Sequence, residues 1–288
     1  MILLLLGCTR TEHPPSSWPV DGCSSGENVA GVAAQWDGML AMSDGVQLAV
    51  TMREPSACGG AVLVIPGGLQ VGRELALTAQ ADAFLDAGLT VVAFDPRGRG
   101  ESGGVEDANG STGQDDLAAL SRWVAAHPRV DPAEVIIFSR SFGAAMASGA
   151  LARHDDLSPL AWLDYEGPCR VSEDMAYTDG GGTEAILALV EAVDDPEEWW
   201  LQREPASFID AITVPYWRMQ GLPDHALGGR IAHALACING ATAAPEVVFN
   251  RFPVTLPTTE EQLVGWVVEG GLEPDEDYVT QTILSLLE

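Results

Sequence analysis

The chain has 288 residues, with 42 Asp and Glu against 14 basic residues, and its net charge is −28. Every basic residue is an arginine. A chain this acidic repels nucleic acid and anionic membrane surfaces, while its 47% apolar content is enough for one large core or two small ones.

The first residues, MILLLLGCTR, contain Leu5-Leu6-Gly7-Cys8. This is similar to a bacterial lipobox, whose cysteine is lipidated and becomes the first mature residue. The apolar run before it is short, and no basic residue precedes it. The match predicts an exported protein of the bacterial cell envelope, lipid-anchored or periplasmic. Its membrane contact would be a lipid on Cys8. Residues 9–37, with Pro14-Pro15 and Ser24-Ser25-Gly26, read as a tether of low structure. A folded domain is expected over 38–288, and no internal repeat is visible in it.

Gly38 to Glu54 reads as a hairpin turning at Asp44-Gly45. Val62 to Ile65 is an apolar run suited to a buried strand, and it breaks at Pro66-Gly67-Gly68. Arg73 to Ala87 has helical spacing of Leu75, Leu77, Ala81, Phe84 and Leu85. Val91 to Phe94 is the next strand, followed by the glycine-rich loop Pro96 to Gly104, and then an amphipathic helix over Gln114 to Ala126. Strands alternating with helices predict an α/β fold with a mostly parallel sheet flanked by helices.

Val135 to Phe138 forms another buried run, ending in Ser139-Arg140-Ser141-Phe142-Gly143 and a helix rich in alanine. Strand, sharp turn and helix are the context in which G-x-S-x-G presents a nucleophile. Here Ser139 stands in place of the first glycine, a small residue for a small one, so Ser141 is the candidate nucleophile. The plainer reading is a strand-to-helix turn with a capping serine. Beyond it come a strand at Leu160 to Leu163, running into Asp164-Tyr165-Glu166, and a stretch at 170–210 that breaks the rhythm and reads as a small cap. Strands follow at Pro215 to Met219 and Val247 to Phe249, and a closing helix at Tyr278 to Leu287.

Three of these motifs in order carry a resemblance to the α/β-hydrolase superfamily, in particular its serine esterase and serine-aminopeptidase-like branch. They are Asp95-Pro-Arg97-Gly98-Arg99-Gly100-Glu-Ser102, the elbow at Ser139 to Gly143, and Tyr216 to Asp224. The resemblance implies a serine hydrolase that cleaves a carboxylic ester or related acyl compound through an acyl-enzyme at Ser141. It implies an oxyanion hole from the Phe142 N–H and that of Gly68 or Leu69. It puts the acid at Asp224. No metal or organic cofactor is implied, since H-E-x-x-H, the phosphate-binding loop and the dinucleotide fingerprint are all lacking.

The family's histidine follows the last strand, where this chain has Asn250-Arg251-Phe252-Pro253. Of five histidines, His13 falls in the tether, and His127 and His154 end helices at the wrong edge of the sheet. The base is therefore His225, with His233 as the alternative, or there is none. Adjacent residues seldom aim at each other, so His225 can instead pair with Asp164 or Glu166. The rival to an enzyme is a degenerate member of the same fold, acting as a surface binding lipoprotein. Without Cys8, four cysteines remain and allow three pairings; the fold that the resemblance implies favours Cys169–Cys237 and Cys23–Cys58.

Overall fold

A computed structural model describes residues 31–178, 181–270 and 276–287. The lipobox, His13, Cys23 and most of the expected tether lie outside these residues. Nine strands form one sheet in the order β1-β2-β4-β3-β5-β6-β7-β8-β9. The expected hairpin is β1 (Ala34–Ala41) and β2 (Gln47–Glu54). β1 starts inside the stretch read as tether, where Trp36 packs on Trp123 at 5.5 Å.

β3 (Gly59–Ile65), β4 (Thr90–Phe94), β5 (Val130–Arg140), β6 (Ala161–Tyr165), β7 (Tyr216–Met219) and β8 (Val247–Phe249) run parallel. A short β9 (Phe252–Pro253) turns back along β8. Ala61 to Ile65 and Val91 to Phe94 are buried on both faces, which is why they read as unbroken apolar runs. Each fully buried Val, Leu, Ile or Phe side chain contributes about 1.5–3 kcal/mol.

Helices cover both faces, as expected. On one face α2 (Ser111–Ala125) and α3 (Gly143–Arg153) pack with Leu117, Leu120, Ala147 and Ala150 against Leu63 and Ile137. On the other, α1 (Ala79–Asp86) places Phe84 and Leu85 against Val62, Val91 and Ile136. The single helix expected over Arg73 to Ala87 is two pieces. A 3-10 turn at Arg73–Leu77 ends at Thr78, which is extended and accepts the Ala81 N–H at 3.3 Å, starting α1 afresh.

The stretch read as a cap contains α4 (Val171–Asp174), α5 (Gly181–Glu191) and α6 (Pro196–Leu201). Arg203 ties it to the body, stacking 4.0 Å over Trp199 and donating to the Asp107 carbonyl. α7 (Ala232–Gly240) follows β7, and α8 (Glu260–Gly270) and α9 (Glu276–Ser285) close the chain. Cys169 and Cys237 form a disulfide, with Cα atoms 5.5 Å apart, joining the loop after β6 to α7. Among the described residues no helix is long and apolar enough to cross a membrane.

Candidate active site

The turn between β5 and α3 lifts Ser141 out of the sheet. Its φ is +48°, a left-handed conformation costing roughly 1–3 kcal/mol for a residue with a side chain. The Ser141 N–H donates to the Tyr165 carbonyl at 2.8 Å, which pins the bend. Gly143 is obligatory there, since a Cβ on it would lie 2.7 Å from the Pro66 carbonyl oxygen. Ser139, in place of the motif's first glycine, is fully buried and accepts the Trp162 indole N–H at 2.9 Å. Its hydroxyl is satisfied from the next strand, so the substitution leaves the bend intact.

Ser141 Oγ lies 3.0 Å from His225 Nε2, and His225 Nδ1 lies 2.5 Å from Glu166 Oε2. Glu166 opens the loop after β6, also with a positive φ of +51°. It is buried, and it accepts the Gly221 N–H at 2.8 Å and the His225 N–H at 3.2 Å. One carboxylate thus orients the imidazole through both its ring and its backbone. The Glu166 hydrogen bond raises the His225 imidazole above its ordinary 6.5, with burial working the other way.

Asp224, expected as the acid, is held elsewhere. Its Oδ1 accepts the Ala226 and Leu227 N–H groups, each at 2.7 Å, and its Oδ2 accepts from Gln220 Nε2 at 2.6 Å. Burial pushes its carboxyl up, but contacts from His233, Gln220 and these N–H groups hold it well below the usual carboxylate range. It lies 3.7 Å from His225 Nδ1, too long for a hydrogen bond. The reason is local: a side chain one residue before the histidine folds back on its own turn. His233 sits behind it, with Nε2 3.4 Å from Asp224 Oδ2 and Nδ1 3.2 Å from Arg218 Nη2, and does not reach Ser141. Asp164 is fully buried, accepting from Arg218 at 2.6 Å and Tyr216 at 3.0 Å. It supports the sheet beneath the site and does not touch His225.

Among the described residues no protein acceptor takes the Gly68, Leu69 or Phe142 N–H. Sequence reasoning missed a clamp around them. Arg99 Nη1 donates to the Gly68 carbonyl at 3.2 Å, and Arg99 Nη2 to Asn109 Oδ1 at 2.8 Å. Asn109 Nδ2 in turn donates to the Phe142 carbonyl at 2.8 Å. Arg99 of the glycine-rich loop, with Asn109 beyond it, thereby holds the carbonyl groups of Gly68 and Phe142, the residues expected to donate to the oxyanion. Arg99 is legible only as part of the resemblance, and Asn109 carried no signal.

A cleft of about 710 Å³ opens over Ser141, His225, Gly68 and Phe142. The cap supplies one wall through Asp174, Met175, Thr178, Thr183 and Ile186. Trp162, Trp199 and Trp200 do not line it; Trp162 packs on Tyr216 at 4.8 Å, and Trp199 meets Trp200 edge-on at 4.8 Å. His127 faces Glu54 at 3.1 Å and His154 faces Asp115 at 2.9 Å, both away from the cleft. Glu166, Asp224 and His225 offer possible metal-ligand atoms within 4.8 Å of one another. The hydrogen bonds each already makes account for that cluster without an ion.

The chain is an α/β-hydrolase by fold: the sheet order, the elbow after β5 and the crossover helices all have that form. The family described as X-Pro dipeptidyl-peptidase (S15 family) matches residues 44–163. Among solved structures, an esterase from Pyrococcus furiosus aligns with a TM-score of 0.60 at 15% identity, over 88% of this chain and 92% of that one. Acetyl xylan esterase 1 from Thermoanaerobacterium sp. gives 0.58 at 18% identity, over 88% and 84%. A 2,6-dihydroxy-pseudo-oxynicotine hydrolase gives 0.61 at 17%, over 88% and 68%. No curated protein sequence matches the chain.

Proposed function

We propose that the protein is a serine hydrolase that cleaves a carboxylic ester or related acyl compound. The observation that carries this is the chain of contacts Ser141 Oγ–His225 Nε2 and His225 Nδ1–Glu166. A serine hydroxyl is a weak nucleophile until a base takes its proton. His225 takes that proton as Oγ attacks the carbonyl, and Glu166 stabilises the imidazolium. The Phe142 and Gly68 N–H groups receive the developing oxyanion. His225 then gives its proton to the leaving group; water, activated by the same imidazole, attacks the acyl-enzyme, and the Ser141 Oγ–acyl bond breaks to release the acid and the free serine. The esterases among the structural neighbours support an ester, and a puromycin-hydrolysing peptidase among them makes an amide the second candidate. The peptidase family's match ends at residue 163, before Glu166, the cap and the His225 loop, so it speaks for the nucleophile's scaffold and not for the substrate.

A fluorophosphonate probe tests this reading. The wild-type chain is expected to label, and Ser141→Ala and His225→Ala to lose the label. An unlabelled wild type would instead favour a binding protein on a hydrolase scaffold. We also infer export with a lipid on Cys8; the buried disulfide supports an oxidising compartment. Palmitate incorporation that disappears in Cys8→Ala is the expected result.

A further inference from the structure

Besides Asp224, which its own turn holds, the acidic residue of the cleft that the chemistry above leaves unused is Asp174. It closes α4 at the cap wall and is only 8% exposed. Its Oδ2 is buried and has no hydrogen-bond partner among the described residues. Among the described residues, no arginine or histidine nitrogen comes within ion-pair distance of it. Its neighbours are committed: Arg170 pairs with Glu173 at 3.2 Å, and Arg218 pairs with Asp164. Burial pushes the Asp174 carboxyl up, and the charges of His233 and Arg218 and a backbone N–H of Arg170 only partly offset this.

A buried carboxylate oxygen without a donor is costly, because the protein returns nothing for the water it has lost. A native fold keeps such a group for a reason, and at a cleft wall one such reason is a ligand that completes it. Around Asp174 the cleft is lined by Met175, Ile186, Leu75 and Leu227, with polar groups from Thr178, Thr183 and Gln70 and the carboxylates of Glu166 and Asp224, which the site already holds. Arg140, the one arginine on the wall, already has a partner. The molecule's −28 charge also enriches cations around the cleft.

We propose that Asp174 forms a cation subsite of the cleft, taking a protonated amine carried by the acyl or the alcohol part of the substrate. This rests on the hydrolase reading for its meaning, but not for its test. Two isosteric ester pairs differ only in an amine nitrogen against a CH group. One pair is 2-(dimethylamino)ethyl acetate and 3-methylbutyl acetate. The other is methyl 4-(dimethylamino)butanoate and methyl 5-methylhexanoate. Binding to the Ser141→Ala chain is followed by NMR titration, with and without Asp174→Asn.

In at least one pair the amine ester is expected to bind about tenfold tighter, and Asp174→Asn to erase that preference. The neutral ester's affinity should stay within about twofold, which shows the variant folded. Equal binding in both pairs, a preference that survives Asp174→Asn, or no measurable binding of either amine ester overturns the proposal. Since Ser141→Ala cannot form an acyl-enzyme, this result is independent of turnover, which the fluorophosphonate label judges.

Discussion

At the scale of single residues, the acid decides the pH behaviour. In the proposed mechanism His225 must be neutral to accept the Ser141 proton, and Glu166 raises its pKa above 6.5. Activity is therefore lost as pH falls, with the acid limb of kcat/KM centred above 6.5. Glu166→Gln removes the charge that favours the imidazolium, so the limb should move down in pH. kcat should fall roughly 10²–10⁴-fold, as the tautomer and orientation of the ring are lost. Asp224→Asn keeps an oxygen for the Ala226 and Leu227 N–H groups and should cost less than about tenfold, with the limb within a few tenths of a unit. A pH–rate series on the three proteins checks this; the reverse ranking would return the acid role to Asp224. The sequence shows three carboxylates, Asp164, Glu166 and Asp224, at the ends of adjacent strands, and Asp224 where the resemblance places the acid. The choice between them depends on which backbone turns toward His225. That turn is a positive φ at Glu166, which no residue pattern announces. His225 itself was legible because no histidine follows the last strand and a loop at the carboxyl end of a parallel strand is where such sites gather.

At the scale of elements, the buried strands and the elbow were plain in the sequence. A strand covered on both faces is uniformly apolar, and a tight elbow admits only small neighbours such as Gly143. The helices between Val171 and Leu201 were legible only as a break in rhythm, because their wall residues face a cleft and follow no core period. The helix α8 escaped notice for a related reason: it packs through few residues, Leu263 and Val267 among them, beside an exposed acidic face. The disulfide belongs to this scale, since it ties the loop carrying Glu166 to α7 across 68 residues. In the chain-entropy picture a crosslink of that span contributes about 4 kcal/mol, and measured effects commonly run 2–4. The double variant Cys169→Ala/Cys237→Ala should therefore unfold at a clearly lower urea concentration. A midpoint equal to that of the wild type would show that the packing of α7 alone holds the loop.

At the scale of the whole molecule, the charge balance predicts how salt acts on stability. Several arginines are used as internal ties: Arg97 to Asp116 at 2.7 Å, Arg129 to Glu54 at 3.2 Å, Arg218 to Asp164 at 2.6 Å. These pairs are almost wholly buried, so salt screens them little. What remains on the surface is a large excess of carboxylates with no lysine to balance them, and their mutual repulsion opposes the compact state. The two effects of salt thus differ in size. Between 0.01 and 0.3 M sodium chloride the screening length falls from about 30 Å to under 8 Å, shorter than most distances across the surface. Relief of repulsion should win, and Tm at pH 7.5 should rise by roughly 3–6 °C. A differential scanning calorimetry series in sodium chloride reads this directly. A Tm that falls with salt would mean that exposed pairs such as Arg122–Asp156 and Arg73–Glu101 contribute more than the repulsion they sit among.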